Sequence, residues 1–228
     1  MAQVRDTTPV PGAGVGRRGH RHLADLGRKY TLLGRERLID GLAVPRGGSA
    51  LELGCGVGRN LVLAARRYPQ AQFHGLEICP SKLETARANL HASGLAGRAQ
   101  LAQGDATRFD PQFLFGRSTF DCVYFSFALS MIADWERALT LAASVLSPGG
   151  SLHVVDFGDQ EQFPTPFRAR LREWLAGCNV EPRPLLTASL AFEAERIGAR
   201  ITVAPLYRGY AVLGTLRRSS TARQNPMG

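Results

Sequence analysis

Ser49 to Asn60 reads SALELGCGVGRN, and its reading decides the fold. Ala50, Leu51 and Leu53 make a short apolar run suited to a strand buried on both faces. Glycines at 54, 56 and 58 then let the backbone turn sharply and let a ligand approach where a Cβ would stand. Leu61, Val62, Ala64 and Ala65 follow at helical spacing. A strand, a glycine turn and a helix N-terminus in this order form a nucleotide site at the carboxyl edge of an α/β sheet. The bland alternative is a tight turn between two packed elements.

Two details narrow the ligand. A dinucleotide fingerprint, G-x-G-x-x-G counted from Gly54, would place its last glycine at 59, where this chain has Arg59. The pattern here is instead Glu52-x-Gly54-x-Gly56-x-Gly58, with an acid directly ahead of the glycines, which suits a cationic ligand better than a pyrophosphate. It resembles motif I of the class I S-adenosylmethionine-dependent methyltransferases. The resemblance implies a Rossmann-like seven-stranded, mostly parallel sheet with one antiparallel strand and helices on both faces. It also implies S-adenosylmethionine as cofactor, S-adenosylhomocysteine as product, and no metal.

The next segments extend the pattern. Residues 72–76 read as a second strand ended by Glu77, which lies 25 residues beyond Glu52, as one βαβ step requires. A carboxylate at that tip accepts from both ribose hydroxyls. Pro80 opens a helix through Leu83, Ala86 and Leu90 that Gly94 stops. A third strand over 99–103 leads to Gly104-Asp105-Ala106, where the resemblance places Asp105 on the adenine amino group; taken singly it reads as a turn residue. A fourth strand begins at Phe120 and exits through Ser126-Phe127-Ala128-Leu129. That exit lacks the Asn/Asp-Pro-Pro-aromatic motif of methyltransferases acting on base or glutamine amides. The cofactor set implied in this way is Glu52, Gly54, Cys55, Gly56, Gly58, Asn60, Glu77, Ile78, Asp105, Ala106, Phe125 and Ser126.

Residues 134–146 read as a helix capped by Asp134. Ser147-Pro148-Gly149-Gly150 reads as a turn into a fifth strand over 151–157. Helices near 166–177 and 187–198 precede a closing hairpin of strands over 200–206 and 210–216. A helical pattern also covers 22–43, either a lid over the cofactor or an amphipathic helix on the sheet edge.

Four stretches, RKYTLLGRERLIDGL, ELGCGVGRNL, YFSFALSMI and SPGGSLHVVDFGD, resemble together the N-methyltransferases of betaine-lipid synthesis, which trimethylate the homoserine amine of diacylglyceryl homoserine. The chain departs from that group's aromatic pattern at Ala24, Thr31 and Cys178-Asn179. The resemblance implies an amine acceptor held by Arg28, Tyr30, Arg35, Tyr124 and Phe127, with Tyr30 nearest the reacting nitrogen. Arg28 and Arg35 would take a carboxylate, and aromatic faces a quaternary product. Each aromatic also has a plain reading as core. No residue stands out as the general base. A quinone or other secondary metabolite is an alternative acceptor, and a nucleic-acid-binding protein with a vestigial cofactor loop is a rival from another class.

Length and composition agree with one well-buried domain of 228 residues. Four scattered cysteines, 55, 79, 122 and 178, suggest reduced thiols. Neither a secretory signal nor a spanning segment is legible, so a cytoplasmic protein is expected. The net charge of +9 sits at the ends: residues 1–48 carry nine Arg/Lys against four Asp/Glu, and residues 208–228 carry four Arg and no acid. We expect a disordered basic segment over 1–20, the methyltransferase domain over 21–216 and a basic tail over 217–228. Such ends either attract an anionic membrane surface or are merely solvated, and no nucleic-acid partner is expected.

Overall fold

The computed structural model describes residues 32–220 of the chain. The helix expected over 22–43 is broken at Gly34, whose φ of 107° no helix contains, and α1 starts after it (Arg35–Gly41). Residues 22–31 lie outside the described residues, and with them the proposed lid and the N-terminal basic segment.

Seven strands form one sheet: β1 (Ser49–Leu53), β2 (Gln72–Glu77), β3 (Ala99–Gln103), β4 (Phe120–Ser126), β5 (Leu146–Phe157), β6 (Ala199–Leu206) and β7 (Ala211–Arg218). Their order is β3-β2-β1-β4-β5-β7-β6. β7 runs antiparallel to both of its neighbours, and the remaining pairs are parallel. This is the expected architecture. All five residues of β1 are buried, because it lies mid-sheet with helices on both faces. Its start is tied to β4 by Asp121, whose Oδ2 accepts from the Ser49 N–H at 2.8 Å and from the Ser49 hydroxyl at 2.9 Å.

The helices return the chain between parallel strands: α2 (Arg59–Arg67), α3 (Pro80–Ala92), α4 (Pro111–Phe115), α5 (Trp135–Ser144), α6 (Thr165–Gly177) and α7 (Leu186–Arg196). α3 buries Leu83, Ala86 and Leu90, the stripe its periodicity predicts. The core on one face joins Leu51, Leu53, Val123 and Phe125 to Leu139, Ala142 and Leu190.

Three expectations change. Ser147 to Gly150 is not a turn ahead of β5 but a bulge inside it, since Phe120 pairs with Leu146 and Cys122 with Ser151. Asp134 precedes α5 without a side-chain bond to its N-terminus. β7 continues through Arg218, two residues into the stretch read as tail. Among the described residues no helix is long and apolar enough to cross a membrane.

Candidate active site

The parallel order puts the carboxyl ends of β1 to β4 side by side, and the loops leaving them enclose a cavity of about 410 Å³. It is lined by Gly54 after β1, Glu77 at the end of β2 with Ile78 after it, Asp105 and Ala106 after β3, and Ala128 to Asp134 in part after β4. Five of the sequence-read cofactor residues thus meet at one cavity.

The glycine loop is held by hydrogen bonds from both sides. Gly54 and Cys55 each donate to the Leu76 carbonyl, at 2.9 and 3.0 Å. Glu77 accepts from the Gly56 N–H at Oε2 (2.8 Å) and from the Cys79 N–H at Oε1 (3.0 Å). Gly54, Gly56 and Gly58 all have positive φ, at 73°, 56° and 75°. A Cβ on Gly54 would stand 2.8 Å from that of Ala128, whereas one on Gly56 would meet open space. Glu77 is 6% exposed and fastens the loop, each oxygen keeping a second lone pair for a ligand. Glu77→Ala is expected to lower stability by about 1–3 kcal/mol, because two N–H groups lose a charged acceptor. Urea unfolding measures this, and an unchanged midpoint would deny the fastening role.

Glu52 is wholly buried. Its Oε1 accepts from Asn60 Nδ2 at 2.6 Å and its Oε2 from the Tyr124 hydroxyl at 3.3 Å. Burial raises its pKa to about 8, against the opposing pull of Asn60, Tyr124 and the Arg35 charge. Beside this carboxyl lie two buried polar atoms without a partner, Arg35 Nε and Asn60 Oδ1. At Asp105, Oδ1 accepts from the Thr107 N–H and hydroxyl at 2.9 and 2.8 Å, while Oδ2 faces Arg108 at 3.3 Å. The Thr107 N–H holds this carboxyl below the usual range. The turn reading and the placement at the cavity therefore coexist.

Several residues stand elsewhere than the sequence suggested. Tyr124 is fully buried with its hydroxyl on Glu52, so its ring packs in the sheet and does not face an acceptor. Phe125 is likewise fully buried, part of the core beneath the cavity. Phe127 is 4% exposed and lies edge-on to Phe157, ring centroids 4.9 Å apart. Alternation along β4 and the left-handed backbone at Phe127 (φ 53°) turn these rings inward. The Cys55 thiol is buried and would crowd a Cβ at Gly75, so it points at the sheet. Ser126 has a buried hydroxyl oxygen without a partner. Arg28 and Tyr30 lie outside the described residues.

Three residues were missed. Asp156, buried at the end of β5, accepts from the Ser130 N–H at 3.0 Å and its own successor Phe157 N–H at 2.8 Å. It thereby holds the 3-10 turn Leu129–Met131 that walls the cavity. An acid at the end of an apolar strand was the available signal. Arg183 donates to the carbonyls of Leu129 (3.2 Å) and Ile132 (2.8 Å) and pairs with Glu181 at 2.8 Å. Gln160 is completely buried at φ 60°, with neither amide atom partnered. No local pattern marks these last two.

A second cavity of about 750 Å³ adjoins the first, sharing Met131 and Ala133. Asp159, Glu161, Glu181, Arg172 and Arg183 border it. Both cations are engaged with main-chain carbonyls, Arg172 with that of Asp159 at 3.1 Å. Among the described residues no group of three His, Cys, Asp or Glu is placed to hold a metal ion.

Residues 50–150 match the family model described as a methyltransferase domain. The chain is 35% identical over 105 residues to the trans-aconitate 2-methyltransferase of Methylobacterium radiotolerans, across 46% of this chain and 36% of that protein. It is 33% identical over 120 residues to the ubiquinone/menaquinone biosynthesis C-methyltransferase UbiE of Klebsiella pneumoniae, across 52% and 46%. The matched stretch thus spans less than half of either relative. An O-methyltransferase family protein from Burkholderia thailandensis shares the fold, with a TM-score of 0.69 at 20% identity over 90% of this chain and 62% of that one. The fold is thus the Rossmann-like fold of that methyltransferase structure.

Proposed function

We propose that this chain is an S-adenosylmethionine-dependent methyltransferase whose acceptor is an amine, that of a lipid-linked homoserine headgroup. The observation that carries the cofactor is the 410 Å³ cavity where Gly54, Glu77, Ile78, Asp105 and Ala106 meet. The residues present fit that group. Glu77 keeps lone pairs for two ribose hydroxyls, and Asp105 lies at the adenine end. Asn60 Oδ1 is a buried acceptor beside Glu52, the complement of an α-ammonium. When bound, S-adenosylmethionine supplies a methyl carbon made electrophilic by its sulfonium sulfur and departs as S-adenosylhomocysteine.

The chain's own residues bind and orient. The glycine loop, fastened by Glu77, sets the cofactor floor. Asp156 and Arg183 hold the stretch from Leu129 to Ile132 that borders both cavities, so their shared wall keeps its shape. Methyl transfer then needs the acceptor lone pair aligned about 3 Å from the carbon. An amine enters as a cation, which the three acids bordering the larger cavity, Asp159, Glu161 and Glu181, favour against its two guanidiniums. It gives one proton to a carboxylate or to water before its nitrogen forms the new N–C bond as the S–C bond breaks. Arg28, Tyr30 and Arg35 are the proposed headgroup contacts, on the resemblance over residues 28–38 and 124–132.

The apolar lining of Ala128, Met131 and Ile132 favours a second reading, a ring carbon of a quinone-like acceptor. Purified protein with labelled cofactor, diacylglyceryl homoserine in mixed micelles and, separately, a demethylated quinone distinguishes them by product mass. Mono-, di- and trimethylated lipid appearing in that order is expected. Label in the quinone alone would overturn the amine acceptor while leaving the methyltransferase reading intact.

A further inference from the structure

α6, TPFRARLREWLAG, buries one side chain, Leu175. At about 100° per residue, Phe167, Leu171 and Trp174 share one face of it. Arg170 stands on one side of that face and Arg168 on the other. Phe167 is 52% exposed and Trp174 43% exposed. The Phe163 ring lies 5.0 Å from that of Phe167, extending the apolar face by one residue before the helix. The opposite face carries Arg172 and Ala176, which border the 750 Å³ cavity. One helix thus presents an apolar, arginine-flanked surface outward and the cavity wall inward.

We propose that α6 docks this protein on an anionic phospholipid surface, with Phe167 and Trp174 at the acyl boundary and Arg168 and Arg170 on headgroup phosphates. Two large aromatics and a leucine on the exposed face of a helix leave apolar area in water, which a lipid interface covers. The helix holds three arginines against one glutamate, Glu173, so charge complementarity selects the anionic surface over a neutral one. At ~20 Å long it is too short to span, and it lies in the interface plane. The inference deepens the lipid-headgroup reading above, but its test does not depend on any methyl transfer.

The chain has two tryptophans, Trp135 and Trp174, so full-length protein carrying Trp135→Phe reports on α6 alone. With vesicles of phosphatidylglycerol and phosphatidylcholine, Trp174 emission is expected to move to shorter wavelength and the protein to pellet. Arg168→Gln with Arg170→Gln is expected to weaken partitioning about thirtyfold at low salt. Phe167→Ser with Trp174→Ser should abolish pelleting. Circular dichroism and cofactor binding should stay as in the parent, because none of these side chains is in the core or at the cofactor cavity. Unchanged Trp174 emission, equal pelleting with pure phosphatidylcholine, or vesicle binding that survives all four substitutions would each overturn the proposal. Docking without labelling of diacylglyceryl homoserine would remove the acceptor reading and leave the surface standing.

Discussion

Gly56→Val is expected to lower affinity for S-adenosylmethionine by about a hundredfold while leaving the sheet folded. Gly56 sits at φ 56°, where a residue with a Cβ carries a penalty of about 1–2 kcal/mol and a β-branched one more. Its N–H donates to Glu77, so any backbone shift that relieves the strain also loosens the loop's fastening. No atom lies within 4 Å of a Cβ built there, so the added isopropyl clashes with no protein atom nearby. On the proposed reading it enters space that the cofactor takes over the glycine loop. Calorimetric titration gives the affinity and thermal unfolding gives the fold. Wild-type affinity in a folded variant would remove the glycine loop from the cofactor site.

Glu52→Gln is expected to change how stability depends on pH more than any other single substitution at the site. Glu52 has a native pKa of about 8 against 4.5 for an unperturbed glutamate. Between those values the folded chain keeps a proton that the unfolded chain has released. Stability therefore falls as pH rises from about 4.5 to 8, by at most about 1.4 kcal/mol per pH unit from this one group. Glutamine has no proton to release and can still face Asn60 and Tyr124. The variant should thus gain on the wild type steadily across that window and run parallel to it above pH 8. Denaturant unfolding of both proteins at pH 5, 6.5 and 8 tests the slope. A constant difference across the three would mean that Glu52 is ionised in the native state.

Two kinds of residue separate at this site. Gly54, Gly56, Glu77 and Asp105 lie at or just after strand ends, and their roles depend on local backbone: a positive φ, a turn, an acid one residue past an apolar run. The side chains on the β4 exit depend on what lies across the sheet. Tyr124 faces Glu52 because β1 and β4 pair in a register that sets those two residues opposite each other. Phe127 turns toward Phe157 because its N–H reaches back to the Val155 carbonyl at 2.8 Å. Neither pairing is a property of the segment in which the residue sits.

Alone, the sequence determined the α/β class and the order of strand, glycine turn and helix, because each rests on periodicity or on spacing within one βαβ step; the strand count and its antiparallel member came from the family resemblance. Only the tertiary structure decided that Tyr124, Phe125 and Phe127 are core, that Asp156 and Arg183 brace the wall between two cavities, and that α6 turns its aromatics outward. Those outcomes follow from contacts between residues far apart in the chain. Arg183 donates to Leu129, 54 positions away, and Asp156 accepts from Ser130, 26 positions away. A local pattern carries the direction of its own backbone, but which neighbour a side chain meets is set by packing.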